Sequence, residues 1–431
     1  MKVIPRHRQA FDIPVSVPGS KSLSNRAIVM AALAEGRSVL QGALRSDDTD
    51  GLLKSLNDLG VKSIYEGEEL AIIGCSGRLP YGGEVHLGHG GTPSRFMMAV
   101  AMLASEAVGI DGSARMRERP IGQLSDFLSQ MGCGIEFKSA SDHLPLVITP
   151  PSPRDVISRL SIGEVDSSQF VSALLLIGAH LRDGLTLRYS KPLTSRPYID
   201  MTLDLLRAWG QMPVVLPIDG QASCGGVFFV PPKNVAGRTY QIEPDASSAL
   251  YFLAAAAMIP DAVCKVEGLS GHSTQPDMHV LEALSEMGAV VERQEASVTV
   301  RGPKELRGIE FDASSCPDGA VMLAVLAATA KTPSCISGLQ TLKIKESDRI
   351  TAIVTELNRL GADAQGGADW IQIKPQRFPE TPVLIRTYDD HRMAMAFAVL
   401  GLWRGGLSIE DPACVRKSFP EFWTIFEMLI Q

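Results

Sequence analysis

A short pattern recurs five times along this chain of 431 residues. It reads Leu56-x-x-Leu59-Gly60, Leu128-x-x-Met131-Gly132, Leu206-x-x-Trp209-Gly210, Leu284-x-x-Met287-Gly288 and Leu357-x-x-Leu360-Gly361, with glycine spacings of 72, 78, 78 and 73. Each copy reads as the end of an amphipathic helix, with glycine supplying the left-handed stop. Near-constant spacing over five copies marks an internal repeat, far longer than the common solenoid periods. Two strand-like runs around a polar turn follow most copies, as in Val290-Val291-Glu292-Arg293 and Ser297-Val298-Thr299-Val300, or Ala362-Asp363-Ala364 and Trp370-Ile371-Gln372-Ile373. An apolar helix precedes, as at 246–258 and 317–330. The unit is therefore β-α-β-α-β-β.

The last helical run, 422–429, reaches the end of the chain as a sixth copy without its final strands. Residues 1–17 have strand character and no helix, so they are expected to complete that last unit. Six units then make an α/β protein of two domains with three units each. The expected division is 19–233 for one domain and 1–18 plus 234–431 for the other. The chain crosses near Pro18-Gly19 and near Pro231-Pro232-Lys233-Asn234, and an active site is expected in the interdomain cleft.

Composition narrows the function. Hydrophobic residues make up 45% and charged residues 21%, as in a soluble globular protein. A net charge of -7 argues against a general nucleic-acid binder. An anionic substrate must then be held by local basic clusters. The seven cysteines are scattered with no C-x-x-C pair, so neither a disulfide framework nor a zinc site is expected. Reduced thiols fit the cytoplasm. The N-terminus lacks the apolar segment of a signal peptide, and the longest apolar runs, such as 254–259, are too short to span a membrane.

The basic clusters sit where helices are expected to begin. Pro18-Gly19-Ser20-Lys21-Ser22-Leu23-Ser24-Asn25-Arg26 puts a lysine and an arginine beside a small-residue turn that leads into an apolar helix. Backbone N–H groups and the positive helix end both suit a phosphate or carboxylate there. The spacing is not that of a Walker A loop, and an ordinary capped helix reads similarly. Leu87-Gly88-His89-Gly90-Gly91-Thr92-Pro93-Ser94-Arg95 repeats the design. Further starts carry Arg115-Met116-Arg117-Glu118-Arg119-Pro120, Asp166-Ser167-Ser168-Gln169, Ser195-Arg196-Pro197-Tyr198 and Glu243-Pro244-Asp245-Ala246-Ser247-Ser248. In Lys343-Ile344-Lys345-Glu346-Ser347-Asp348-Arg349, Lys345 and Arg349 share a helix face, with Glu346 beside Arg349. Asp389-Asp390-His391-Arg392 and Lys417-Ser418-Phe419-Pro420 complete the set. No second histidine or cysteine stands at ligand spacing from His391, so no metal is expected. A site gathering these groups could hold two phosphorylated small molecules.

With these motifs in this order, the chain resembles the 5-enolpyruvylshikimate-3-phosphate synthases (3-phosphoshikimate 1-carboxyvinyltransferases) of the enolpyruvyl transferase family. The resemblance spans essentially the whole chain and includes Gly91-Thr92 with Arg95, Pro197-Tyr198-Ile199, Pro317-Asp318 and Asp390-His391-Arg392-Met393-Ala394-Met395. It implies a two-domain inside-out α/β barrel. It also implies transfer of the carboxyvinyl group of phosphoenolpyruvate to the 5-hydroxyl of shikimate 3-phosphate, through a tetrahedral adduct with loss of phosphate, without a cofactor or metal. The expected setting is aromatic amino-acid biosynthesis, in a cytoplasmic monomer that is a glyphosate target, with no nucleic-acid or membrane partner.

By the same resemblance, Lys21, Ser22, Arg26, Ser167, Ser168, Gln169, Ser195, Tyr198, Asp318 and Lys345 would hold shikimate 3-phosphate. Lys21, Gly91, Arg119, Gln169, Arg349, Arg392 and Lys417 would hold phosphoenolpyruvate. Lys21, Asp318, Glu346 and His391 form the implied catalytic set, with Asp318 serving the 5-hydroxyl and Glu346, with Lys21, the methylene carbon. The chain departs from the family pattern at His89 and Thr341, where many members have asparagine, and at Pro93, usually a small residue. These departures bear on affinity and inhibitor response. Two alternatives stay open: a carboxyvinyl transferase acting on UDP-N-acetylglucosamine, and a non-catalytic ligand-binding relative. Against the first, Ala114-Arg115-Met116 lacks the reactive loop cysteine of that sister enzyme; against the second stands the joint presence of Lys21, Asp318 and Glu346.

Overall fold

The computed structural model describes residues 1–152, 154–217 and 225–430. The chain divides into two compact units, Lys21–Ile242, and Met1–Ser20 with Glu243–Gln431. The second passage between them lies after Ile242, past the 231–234 segment where the sequence placed it. The cause is the strand Thr239–Gln241, which pairs in parallel with Glu35–Gln41 and keeps the chain in the first unit until it ends. Beside the passages, Ser20 N–H donates to Glu243 O and Asp245 N–H to Pro18 O, both at 2.8 Å.

Each repeat builds one sheet. Gly83–His86, Val108–Asp111, Leu146–Thr149 and Gly134–Phe137 lie in that spatial order. The first two strands are parallel across the helix Gly91–Ala101, and the rest are antiparallel. The same order recurs in the sheets that begin with Arg159–Ile162 and with Glu310–Asp312. Two further sheets take their edge strand from far along the chain: Thr239–Gln241 joins Glu35–Gln41 within one unit, and Asp12–Val15, on the far side of both passages, joins Val263–Glu267. The last sheet has three strands, with Lys2–Ile4 antiparallel to Leu407–Ile409. Residues 1–17 therefore do not act together. The polar stretch 5–11 breaks them into two strands, of which only Lys2–Ile4 completes the last unit.

The repeated glycines do end helices in the left-handed region: Gly60, Gly132, Gly210, Gly288 and Gly361 have φ of +96°, +104°, +75°, +107° and +94°. The first helix of each repeat is apolar nearly all round and is enclosed, as in Ala246–Met258 and Ala320–Ala327. The second is amphipathic and half-covered, as in Arg349–Arg359. The strands lie outside them with one face in solvent; Ile64, on an outer strand, is 63% exposed. Two expected helices are shorter than their apolar runs. The run 317–330 is helical only over Ala320–Ala327, because Pro317 and Asp318 sit in a turn before it. The run 422–429 is α-helical over Phe422–Phe426 and finishes as a 3-10 turn, Glu427–Ile430.

In one repeat of each unit a glycine lets the last strand approach the carbonyl end of the first helix. A Cβ on Gly74 would lie 2.1 Å from Ala34 O and 2.6 Å from Ala31 O; on Gly302, 2.1 Å from Ile259 O and 2.3 Å from Ala256 O. Backbone carbonyls in a close-packed core cannot swing aside. We expect Gly74→Ala to cost about 3 kcal/mol of stability. Gly67→Ala, with φ of +67° but open space around it, costs about 1 kcal/mol. Urea unfolding midpoints of the two variants check this ranking.

Candidate active site

Many of the residues singled out from the sequence lie at helix N-termini, where unpaired N–H groups and the helix dipole favour anions. Lys21 begins the helix Lys21–Leu33, Gly91 begins Gly91–Ala101, and Ser168 begins Ser168–Ile177 with Ser167 as its cap. Ser195 caps Arg196–Ala208 in a left-handed conformation, with φ of +49°. In the other unit, Arg349 opens Arg349–Arg359, and His391 and Arg392 open His391–Arg404 behind the cap Asp390. Lys417 ends the 3-10 turn Pro412–Lys417.

Within Lys21–Ile242, Arg26 ties three of these ends together. Its Nε donates to Thr202 Oγ1 at 2.8 Å, one Nη to Ser22 O at 2.9 Å, and the other to Tyr198 O at 3.0 Å and Ser172 Oγ at 3.2 Å. Among the described residues no carboxylate pairs with it. Burial therefore draws its pKa down to about 10, with Tyr198 opposing. At neutral pH it stays charged, a buried cation held by neutral oxygens. Lys21 Nζ lies 3.4 Å from the buried Asp48 carboxylate.

The second cluster of this unit surrounds Gly91. A Cβ there would lie 2.4 Å from an Arg119 Nη and 2.8 Å from its Cζ, so the glycine is what lets that guanidinium lie against the helix start. Arg95 clamps the arrangement, donating to Gly91 O at 3.3 Å and Pro120 O at 2.9 Å. It is a positioning residue rather than a surface cation. Gln169 Nε2 donates to Thr92 Oγ1 at 3.0 Å and joins the Ser168 and Gly91 helix starts. His89 is exposed, with Nδ1 3.1 Å from Ser113 Oγ.

The unit containing Glu243–Gln431 interleaves its cations with carboxylates. Arg349 donates to Asp318 at 2.9 Å, Glu346 at 2.9 Å and Asp390 at 2.8 Å. Arg392 donates to Asp318 Oδ2 at 2.9 Å, Lys345 Nζ lies 3.5 Å from Asp318 Oδ1, and Lys417 donates to Glu346 at 2.8 Å. Burial alone would push Asp318 up, but the Arg392, Lys345 and Arg349 charges outweigh it and hold the carboxyl well below the usual range. Burial likewise opposes the Arg349 charge, yet Asp390, Glu346 and Asp318 raise its pKa overall. Every assigned cation of this unit thus has a carboxylate partner before any substrate arrives.

His391, expected in the catalytic set, is fully buried at the first turn of its helix, with Nδ1 3.8 Å from Asp390 Oδ1. Thr341 Oγ1 is buried without a hydrogen-bond partner among the described residues. Sequence reading missed Thr202, Ser172 and Asp48, which lie inside helices and carry no local signal; only their contacts with Arg26 and Lys21 expose them. It noted Asp390 as one of two adjacent carboxylates without separating the roles. Asp390 accepts Arg349, Ser347 Oγ and the Arg392 N–H. Among the described residues no group of three or more His, Cys, Asp or Glu could hold a metal ion, and no helix is long and apolar enough to cross a membrane.

Comparison with known proteins shows the family. The family model described as EPSP synthase (3-phosphoshikimate 1-carboxyvinyltransferase) matches residues 6–426. The chain is 37% identical over 435 residues to a 3-phosphoshikimate 1-carboxyvinyltransferase of Trichormus variabilis, covering 99% of this chain and 98% of that one. It is 39% identical over 425 residues to the one of Cupriavidus necator, covering 96% and 95%. Its structure is similar to that of the EPSP synthase from Acinetobacter baumannii, with a TM-score of 0.81, 25% identity and coverage of 99% and 97%. With the family's model matched over nearly its full length and its cation and carboxylate motifs gathered at helix starts, the chain belongs to the EPSP synthase family of enolpyruvyl transferases.

Proposed function

We infer that the protein transfers the carboxyvinyl group of phosphoenolpyruvate to the 5-hydroxyl of shikimate 3-phosphate and releases phosphate, in the shikimate route to aromatic amino acids. One observation carries the mechanism. The two carboxylates proposed for proton transfer, Asp318 and Glu346, rest on the cations proposed for the substrate anions. Phosphoenolpyruvate would take Arg349, Arg392 and Lys417, together with Lys21, Gly91, Arg119 and Gln169 of the other unit. Shikimate 3-phosphate would take Lys345, with Lys21, Ser22, Arg26, Ser167, Ser168, Gln169, Ser195 and Tyr198. The buried Thr341 hydroxyl, unbonded here, is a further group it could satisfy.

Each bound anion then replaces a carboxylate on its cation. Asp318, relieved of Arg392, Arg349 and Lys345, becomes basic enough to accept the 5-hydroxyl proton. Glu346, relieved of Arg349 and Lys417, can carry a proton and pass it with Lys21 to the methylene carbon as the 5-oxygen bonds to C2. The tetrahedral adduct is stabilised by the same cations. Its breakdown returns the methyl proton to Glu346, reforms the double bond and breaks the C2–O bond to phosphate. The leaving phosphate takes the proton held by Asp318. His391 is read as holding Asp390, and through it Arg349, in place. The same reading takes the protein as a cytoplasmic monomer, which light scattering on the purified protein checks.

Phosphate release from phosphoenolpyruvate should require shikimate 3-phosphate, and UDP-N-acetylglucosamine should not replace it. No release with either acceptor would favour a non-catalytic relative. Asp318→Asn should lower kcat by about 100-fold or more, in the range of lost acid–base catalysis. Because it leaves Arg349 and Arg392 without that counter-charge, it should also lower the KM for phosphoenolpyruvate. Glu346→Gln should depress kcat similarly while shikimate 3-phosphate binding, read by calorimetry, holds.

Gly91→Ala should displace the Arg119 guanidinium and raise the KM for phosphoenolpyruvate about tenfold or more, since misplacing one binding group by an ångström is costly. Glyphosate, the longer occupant of the same pocket, should weaken more; steady-state inhibition compares the two. His89→Ala should raise the phosphoenolpyruvate KM about fivefold, the worth of one hydrogen bond, and leave that for shikimate 3-phosphate unchanged. Equal effects on both substrates would remove His89 from the site.

A further inference from the structure

Asp277 is 3% exposed and lies in the short turn Pro276–His279, outside every motif that drew attention in the sequence. Its Oδ1 accepts the Gly319 N–H at 3.0 Å, and its Oδ2 accepts the Ser247 hydroxyl in a short contact. Ser247 Oγ accepts from Arg392 Nη2 at 3.4 Å, and that nitrogen donates to Asp318 Oδ2 at 2.9 Å. Asp318 is covalently joined to Gly319, so the ring closes. The neighbouring Gln275 braces the same corner, with Oε1 accepting from Ala246 N–H at 3.1 Å and Nε2 donating to Pro244 O at 2.7 Å.

We propose that Asp277 is a positioning residue of the transfer, holding the Gly319 backbone next to Asp318 and, through Ser247, the Arg392 guanidinium, without touching either substrate. The inference rests on the functional reading above. A mere helix cap would not require a charge. Gly319 needs one acceptor, which asparagine supplies equally well, whereas a buried carboxylate is costly unless its charge is answered. Here Arg392 answers it from the helix His391–Arg404.

The surroundings also give the ring a pH dependence. The charged and titratable groups facing Asp277 are Arg392, Asp318, Asp245, Tyr251 and Cys316. Burial pushes Asp277 up to about 6; Arg392 opposes this, and the Asp318 and Asp245 charges add to it. Asp318 is held ionised, while burial pushes Tyr251 up to about 12 and Cys316 higher still. Of Asp277, Asp318, Tyr251 and Cys316, it is Asp277 that has a step near pH 6. As pH falls through it, the carboxyl keeps the Gly319 N–H but must donate its own proton to Ser247. That reverses one bond of the ring and removes the counter-charge from Arg392.

The test uses the full chain with Asp277→Asn and Asp277→Ala. We expect kcat to fall about 10- to 100-fold, as for a group misplaced by a fraction of an ångström, with the KM for shikimate 3-phosphate within about twofold. The unchanged protein should show an acidic limb near pH 6 in kcat/KM for phosphoenolpyruvate, which reports the free enzyme, and Asp277→Asn should lack it. A variant that melts lower but keeps the kcat and the pH profile of the unchanged protein makes Asp277 a cap only and overturns the proposal. A crystal structure of Asp277→Ala gives a readout independent of turnover. Displacement of Asp318 from Arg392 supports the ring, and an unmoved pair at 2.9 Å overturns it. Absence of shikimate 3-phosphate-dependent phosphate release in the unchanged protein would instead sink the functional reading, leaving the crystallographic test to decide the role of Asp277.

Discussion

Guanidinium groups buried beside several helix N-termini set the terms for this molecule. The helix ends and the arginines all carry positive potential, and water is excluded from them, so each buried charge must be answered by oxygen. The two units answer differently. Arg26 is met by carbonyl and hydroxyl oxygens of Ser22, Tyr198, Thr202 and Ser172. Arg349 and Arg392 are met by the carboxylates of Asp318, Glu346 and Asp390. The first arrangement leaves the guanidinium's positive charge uncancelled. The second is balanced, and it can accept an anion only by exchanging one negative group for another.

That exchange links binding to chemistry. A carboxylate locked in ion pairs is a poor base, because its charged form is over-stabilised. In the proposed function, the pairs that hold Asp318 low in the resting protein are those that anionic substrates would compete for. Binding energy would thereby be converted into proton affinity at the carboxylates proposed for proton transfer.

Much of this was legible in the sequence. The glycine of each Leu-x-x-Φ-Gly copy forces a left-handed stop, so a local chemical fact marked the end of the second helix in five repeats. The Lys345-Glu346 and Arg349 cluster was legible as charges close in sequence, but not in its geometry: Lys345 and Glu346 precede the helix Arg349–Arg359 instead of sharing a face with Arg349, and Glu346 meets it from the loop. The passage after Ile242 was not legible. Thr239–Gln241 is three residues long, and only its partner strand 200 residues earlier makes it a strand of that unit. Nor could sequence alone separate the two roles in Asp390-His391, a capping carboxylate that holds Arg349 and a ring enclosed in the core.

The sequence by itself determined the repeat, the apolar helices that must be enclosed and the chemical types available for anion binding, because these follow from spacing and from each side chain's own chemistry. The tertiary structure decided which charge meets which. Asp277, Asp48, Thr202 and Ser172 have no local signature, and they matter only because folding sets them against Gly319, Lys21 and Arg26. A carboxyl's proton affinity depends on distances of a few ångströms to groups tens or hundreds of residues away, and only packing fixes those distances.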